Sequence, residues 1–176
     1  LVRNRHLCQC RKSFCRTLLA GGGLWNYLDD GTDPGATWVD DDFDDSAWDE
    51  GNAPLGYGEG DEATLLDFGG DPMDKHATTF FRSTFDVEDA AGITGLELGI
   101  VRDDGAVVYV NGIEVYRFDL PMDGVTFETL AAYPLEGAIE REFLRTRINP
   151  AVLVEGTNTV AVEVHQCDPT NADHRF

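Results

Sequence analysis

Basic residues, methionines, cysteines and long apolar runs are all scarce in this chain. Thirteen Lys+Arg stand against 33 Asp+Glu, a formal charge of −20 over 176 residues. Such a surface repels phosphate backbones and anionic membranes, which argues against nucleic acid as a partner. No run of about 18 apolar residues occurs, so no membrane insertion is expected. Only four cysteines are present, and three of them (Cys8, Cys10, Cys15) crowd the first 23 residues. Their Cys-x-Cys-x4-Cys spacing, with His6 nearby, lacks the paired Cys-x2-Cys knuckles of a zinc site. A disulfide framework is equally unsupported, because Cys167 is alone in the remainder. Ser13, Ser46 and Ser83 are the only serines, and none sits in a Gly-x-Ser-x-Gly elbow. His6, His76, His165 and His174 show no metal-ligand spacing. Carboxylates abound, so a glycosidase-like pair is not excluded by counting, but nothing singles one out.

What is present is uneven. Residues 1–23 hold five Lys+Arg and no acid, and end in Ala20-Gly21-Gly22-Gly23. Residues 24–176 carry the other 8 basic and all 33 acidic residues, a charge of −25. Residues 1–23 are therefore read as a basic, Cys-containing head with a Gly linker, expected to be disordered. The chain opens on Leu1, and its FCRTLLA piece is broken by Arg16, so no signal peptide is read and the true start is expected upstream.

Nineteen Gly and seven Pro divide the rest into short apolar runs. Trp25 and Tyr27 alternate in LWNYL, Thr37-Trp38-Val39 reads as a short strand, and 51–75 reads mostly as loop. TTFFRSTFDV (78–87) and ITGLELGIV (93–101) have strand composition and alternation. Between VVYV and IEVYRF, Asn111-Gly112 predicts a two-residue hairpin with both central residues at positive φ. One further strand is expected near Val125–Leu130, another at EFLRTRI (142–148), and a last one in TVAVEVHQ (159–166). Asn149-Pro150 should cap a single helical turn. About eight strands and no long amphipathic helix predict an all-β fold, a jelly-roll β-sandwich of antiparallel strands.

Five motifs occur in order: FDDSAW (43–48), APLGYG (53–58), TTFFRSTFDV (78–87), RDDGAVVYVNG (102–112) and LVEGTNTVAVEVHQ (153–166). As a set they resemble the galactose-binding-domain-like β-sandwich modules of secreted bacterial multidomain proteins. The resemblance covers 24–176 and implies a jelly-roll domain truncated before its last strand, since Asp173–Phe176 begins that strand and stops. It implies a non-catalytic carbohydrate- or surface-polymer-binding module, extracellular or at the cell surface, covalently linked to neighbouring domains that would supply any catalysis. The alternative is a structural spacer or assembly domain of a cell-surface protein, stabilised by calcium.

The candidate ligand residues are Tyr57, Asp103, Asp104, Trp38 and His165. Tyr57 is chosen because GYG in a loop is hard to bury, Trp38 as an aromatic platform alongside Trp48 and Tyr109, and His165 for its place at a strand end. Asp103 and Asp104 could accept from sugar hydroxyls; the competing reading is a tight turn with Gly105 at positive φ. Asp29, Asp33, Asp40 and Asp42 are the candidate calcium ligands, since calcium takes six to eight oxygens. The EF-hand pattern is absent, because Asp45 and Gly51 occupy its sixth and twelfth positions counted from Asp40. Asp44 and Asp45 can instead cap a turn that Phe43 and Trp48 anchor to the core.

Overall fold

The computed structural model describes residues 5–11, 14–135, 137–139 and 141–176. Among them thirteen strands form, with helix limited to two 3₁₀ turns, Gly137–Ile139 and Pro150–Val152. The first six strands are β1 (Arg5–Arg11), β2 (Phe14–Ala20), β3 (Leu24–Leu28), β4 (Asp49–Asn52), β5 (Leu55–Tyr57) and β6 (Thr64–Leu65). Then come β7 (Thr78–Val87), β8 (Gly95–Ile100), β9 (Gly105–Val110), β10 (Ile113–Phe118), β11 (Leu144–Ile148), β12 (Gly156–His165) and β13 (His174–Arg175).

A six-stranded antiparallel sheet, β10-β9-β12-β7-β3-β4, faces a four-stranded one, β11-β8-β1-β2. The third, β13-β5-β6, closes one end and contains the parallel pair β5–β6. The all-β expectation holds, and the arrangement is a β-sandwich. Strand alternation builds its core: Ala106, Val108 and Val110 meet Val160, Val162 and Val164 across the β9–β12 register, and Leu96, Leu98 and Ile100 oppose them from β8. Phe176 stacks on Phe81 at 4.3 Å and meets the edge of Trp25 at 4.7 Å.

The Asn111-Gly112 hairpin forms as read, with φ of 50° and 74°. Asn149 caps its 3₁₀ turn by accepting from the Ala151 N–H. Other expectations are corrected. The head is not set apart as a disordered tail: β1 and β2 form a hairpin, and β1 pairs with β8. Two of its described residues, Leu7 and Leu19, are buried in the core. Thr37–Val39 and Val125–Leu130 are turns and loop instead of strands, while 49–65 contains β4, β5 and β6. These short strands carry little apolar alternation, which hides them from a periodicity argument. The last residues form β13 on β5, with Phe176 inside the core.

Every residue of β12 from Asn158 to His165 is buried, on both faces. The face turned away from the sandwich core is roofed by loop 29–48, which packs Trp38 on Phe80 (4.9 Å) and Tyr109 (5.7 Å) over Ala161. This second apolar layer turns polar side chains of β7 and β12 into interior groups.

Candidate functional site

Period-two alternation puts Ala161, Glu163 and His165 of β12 on the roofed face, beside Thr78, Phe80 and Arg82 of β7 and Tyr109 of β9. Tyr109 donates to Glu163 Oε1 at 2.8 Å, and Glu163 Oε2 lies 3.2 Å from His165 Nε2. His165 Nδ1 is 2.7 Å from the Thr129 carbonyl and 2.8 Å from Thr78 Oγ1. A carbonyl only accepts, so Nδ1 carries a proton and cannot also take one from Thr78. The carboxylate–imidazole–hydroxyl order therefore superficially follows a catalytic triad, but its chemistry is that of a strut tying the 119–135 loop to the sheet. Burial and the neighbouring Glu163 raise the Tyr109 hydroxyl above its ordinary pKa and keep it a donor.

At one end of the sandwich, the polar side chains that follow the strands are also interior. Asp104 accepts from the Leu135 N–H (2.6 Å), the Cys167 N–H (2.8 Å) and Asn171 Nδ2 (3.2 Å). Gln166 donates to the Tyr57 hydroxyl (2.7 Å) and the Asp173 carbonyl, and accepts from Asn171. Tyr57 stacks on His174 at 5.7 Å, its hydroxyl pKa raised by burial. His174 is fully buried, and desolvation lowers its pKa to about 4. Burial pushes the Cys167 thiol up to about 12, so it is no thiolate nucleophile at neutral pH. Arg102, also interior, stacks 3.9 Å over Phe118.

Of the ligand residues expected from sequence, Tyr57, Asp103, Asp104 and His165 lie at this end of the sandwich, while Trp38 sits in the separate apolar layer over Phe80 and Ala161. Asp103, Asp104 and His165 are at most 1% exposed, Trp38 is core, and Tyr57 is half-buried on β5 with its hydroxyl engaged. Neither is Gly105 at positive φ; a Cβ there would come within 2.9 Å of the Ala131 Cβ, so glycine admits the loop above it. Trp48 packs against Phe43 at 5.7 Å, and Asp44 accepts from the Ser46 N–H as the capping reading has it, whereas the Asp45 carboxylate accepts from Arg82.

The calcium candidates lie on loop 29–48. Asp29 is buried and accepts from the Asp67 N–H at 2.6 Å, and burial raises its pKa. Asp33 accepts from the Gly35 N–H, and Asp42 is exposed. Asp40 offers its carbonyl to Arg82, whose guanidinium also bonds the Trp38 carbonyl and Asp45 Oδ2 (2.8 Å). A buried arginine thus stands among these acids, stacked 5.2 Å from Phe43. Among the described residues no three His, Cys, Asp or Glu side chains gather to hold a metal. The side chains of His6, Cys8, Cys10 and Cys15 lie outside the described residues.

What opens to solvent at this end is a cleft of about 300 Å³, walled by Phe127, Leu130 and Pro169 and by Asp74, Lys75, His76 and Glu128. The His76 ring is wedged between Gly31 and Gly69, at φ of 75° and 97°, and its Nδ1 donates to the Asp29 carbonyl (2.6 Å). Any Cβ at either glycine would strike the ring within 2.6 Å. Tyr133, on the same 119–135 loop as Phe127 and Leu130, is 72% exposed, and its N–H is held by Asp119 Oδ2 (2.7 Å). Sequence reasoning missed Tyr133, Gln166, Asn171 and Arg82. Arg82 had a signal, a lone charge inside an aromatic and β-branched run; Tyr133 sits before a proline, which keeps a loop residue extended.

No protein-family model and no curated protein sequence matches the chain. Solved structures do. A β-glucuronidase from glycoside hydrolase family 2 matches 94% of this chain at 15% identity and a TM-score of 0.53. The Bacteroides uniformis β-glucuronidase matches 82% at 18% identity and 0.52. The Bifidobacterium dentium β-glucuronidase, complexed with coumarin-3-O-glucuronide, matches 82% at 18% identity and 0.51. The chain spans 14%, 14% and 19% of those proteins respectively. At these identities the likeness is one of fold: this chain is a β-sandwich similar to a small part of family 2 glycoside hydrolases.

Proposed function

We propose that the chain is a non-catalytic carbohydrate- or surface-polymer-binding module, linked covalently to the other domains of a larger secreted protein. The observation that carries this reading is the 119–135 loop. It exposes Tyr133 and lines the open cleft with Phe127 and Leu130, while Asp104, Asp119, Gln166 and His165 hold its backbone in place. A fixed loop presenting an aromatic ring loses little entropy on binding a sugar face. The fold likeness to parts of glycoside hydrolases supports the setting, and the His165 strut supports the absence of catalysis. No helix among the described residues is long and apolar enough to cross a membrane.

Binding of the purified chain to a panel of immobilised polysaccharides tests the proposal. Tyr133→Ala should weaken binding about tenfold, the size of one aromatic contact, with an unchanged melting temperature. Tyr57→Ala should instead lower the melting temperature, because it unties Gln166. Failure to bind any polymer would overturn the reading. It would favour a structural spacer, for which the dense stapling of the loops speaks.

A further inference from the structure

Resting on the module reading above, we infer that the cleft takes an uncharged glycan, and that Asp74 and Glu128 reject acidic sugars. Both carboxylates are exposed on the cleft wall. The cation beside them is committed elsewhere: the Lys75 ammonium donates to the Asn171 carbonyl and stands 5.5 Å from the Tyr57 ring centroid and 5.6 Å from that of Phe68. His76 is immobilised by its glycine walls and by its bond to Asp29. A uronate carboxylate entering here would meet two like charges and an ammonium already bound. Around it lies a chain of formal charge −20. Like charges in a concave, partly apolar site repel more strongly than in open water.

An uncharged sugar meets the opposite situation. Its hydroxyls can donate to the two carboxylates, and charged acceptors make the stronger hydrogen bonds. Its C–H face can lie on Phe127 and Leu130. The volume of about 300 Å³ is at the small end of ligand pockets, suited to a short stretch of a polymer. Asp74 and Glu128 are then specificity-determining residues.

The experiment compares retention of the purified chain on uncharged polysaccharides (mannan, xylan, β-glucan) and on polyuronates (alginate, polygalacturonate), at low and at moderate salt. The expected result is retention by at least one uncharged polymer and at least about tenfold weaker retention by every polyuronate at low salt, a contrast that salt narrows. The double variant Asp74→Lys, Glu128→Lys should gain polyuronate binding while melting like the parent, both sites being exposed. Retention of the parent chain by polyuronates as strong as by uncharged polymers would overturn this inference and leave the module reading standing. So would a double variant that folds and gains nothing. Retention by no polymer would overturn the module reading itself, and this inference with it.

Discussion

At the scale of single residues, the interior polar groups of this sandwich are where its energetics concentrate. Arg82 is 3% exposed and meets Asp45, the Trp38 carbonyl and the Asp40 carbonyl at once. Arg82→Ala removes the shared donor and leaves two interior carbonyls and a partly buried carboxylate behind. A loss of about 3 kcal/mol is expected, read by urea unfolding followed through tryptophan fluorescence. Because Arg82 already supplies positive charge to the Asp40–Asp45 loop, added Ca²⁺ or chelator should leave the melting temperature of the parent chain unchanged. A rise with Ca²⁺ would instead support the calcium expectation raised by the alternating aspartates. His174 sets a pH dependence. Its folded pKa of about 4 lies below the ordinary histidine value of 6.5, so the unfolded chain binds the extra proton. Stability is complete above about pH 6.5 and falls as pH drops towards 4, by about 3 kcal/mol from this group. His174→Phe, which keeps a ring against Tyr57, should flatten that slope in urea midpoints measured from pH 7 to pH 4. Asp29 and Asp173, whose pKa values burial raises, carry the opposite sign near the carboxylate range, and the comparison of the two proteins cancels them.

At the scale of elements, the Asn111-Gly112 turn couples a local preference to long-range contacts. Its positive φ values satisfy the hairpin twist, and this much is legible in the dipeptide alone. The Asn111 side chain does more: it donates to the Val152 carbonyl and Asn158 Oδ1, and accepts from the Thr159 N–H. Asn111→Gly should therefore destabilise by about 2 kcal/mol, although glycine suits the turn conformation itself. Thermal melts compared with Gly112→Asn, which keeps the side-chain network, separate the two contributions. Elements with apolar alternation (β7, β8, β9 and β12) were legible because every second residue enters one core, and β10 because the turn dipeptide ties it to β9. β4, β5 and β6 were not, because DEGN, LGY and TL are too short to show a period. The ladder bonds of β4 to β3, and of β5 to β13 and β6, specify them instead.

At the scale of the whole molecule, a charge of −20 works against compactness. Raising NaCl from 10 to 500 mM shortens the range of that repulsion from tens of ångströms to a few. The melting temperature should rise by about 3 °C, the response of a domain this size to about 1 kcal/mol. A flat or falling response, measured by differential scanning calorimetry, would show the acidic loops to be self-compensated. The same charge shapes the candidate site, where the 119–135 loop and the Asp74–His76 segment meet. Of that site the sequence showed the chemistry in outline, an acidic sandwich with aromatic candidates, but it pointed to Trp38 and Tyr57. Both are conspicuous in their local motifs, yet one is turned inward from loop 29–48 onto Phe80 and the other is tied to Gln166, 109 positions away.

By itself, then, the sequence determined the all-β class, the hairpin, the acidic surface and the apolar faces of the long strands. These follow from composition, φ preferences and a two-residue period, and all are local. Only the tertiary structure decided which polar residues are interior, that the basic head joins a sheet, and that Tyr133 rather than Tyr57 faces solvent. The physical reason is that burial of a side chain depends on what covers its strand. Here that cover is supplied by loops 29–48 and 119–135, held by hydrogen bonds between residues tens of positions apart.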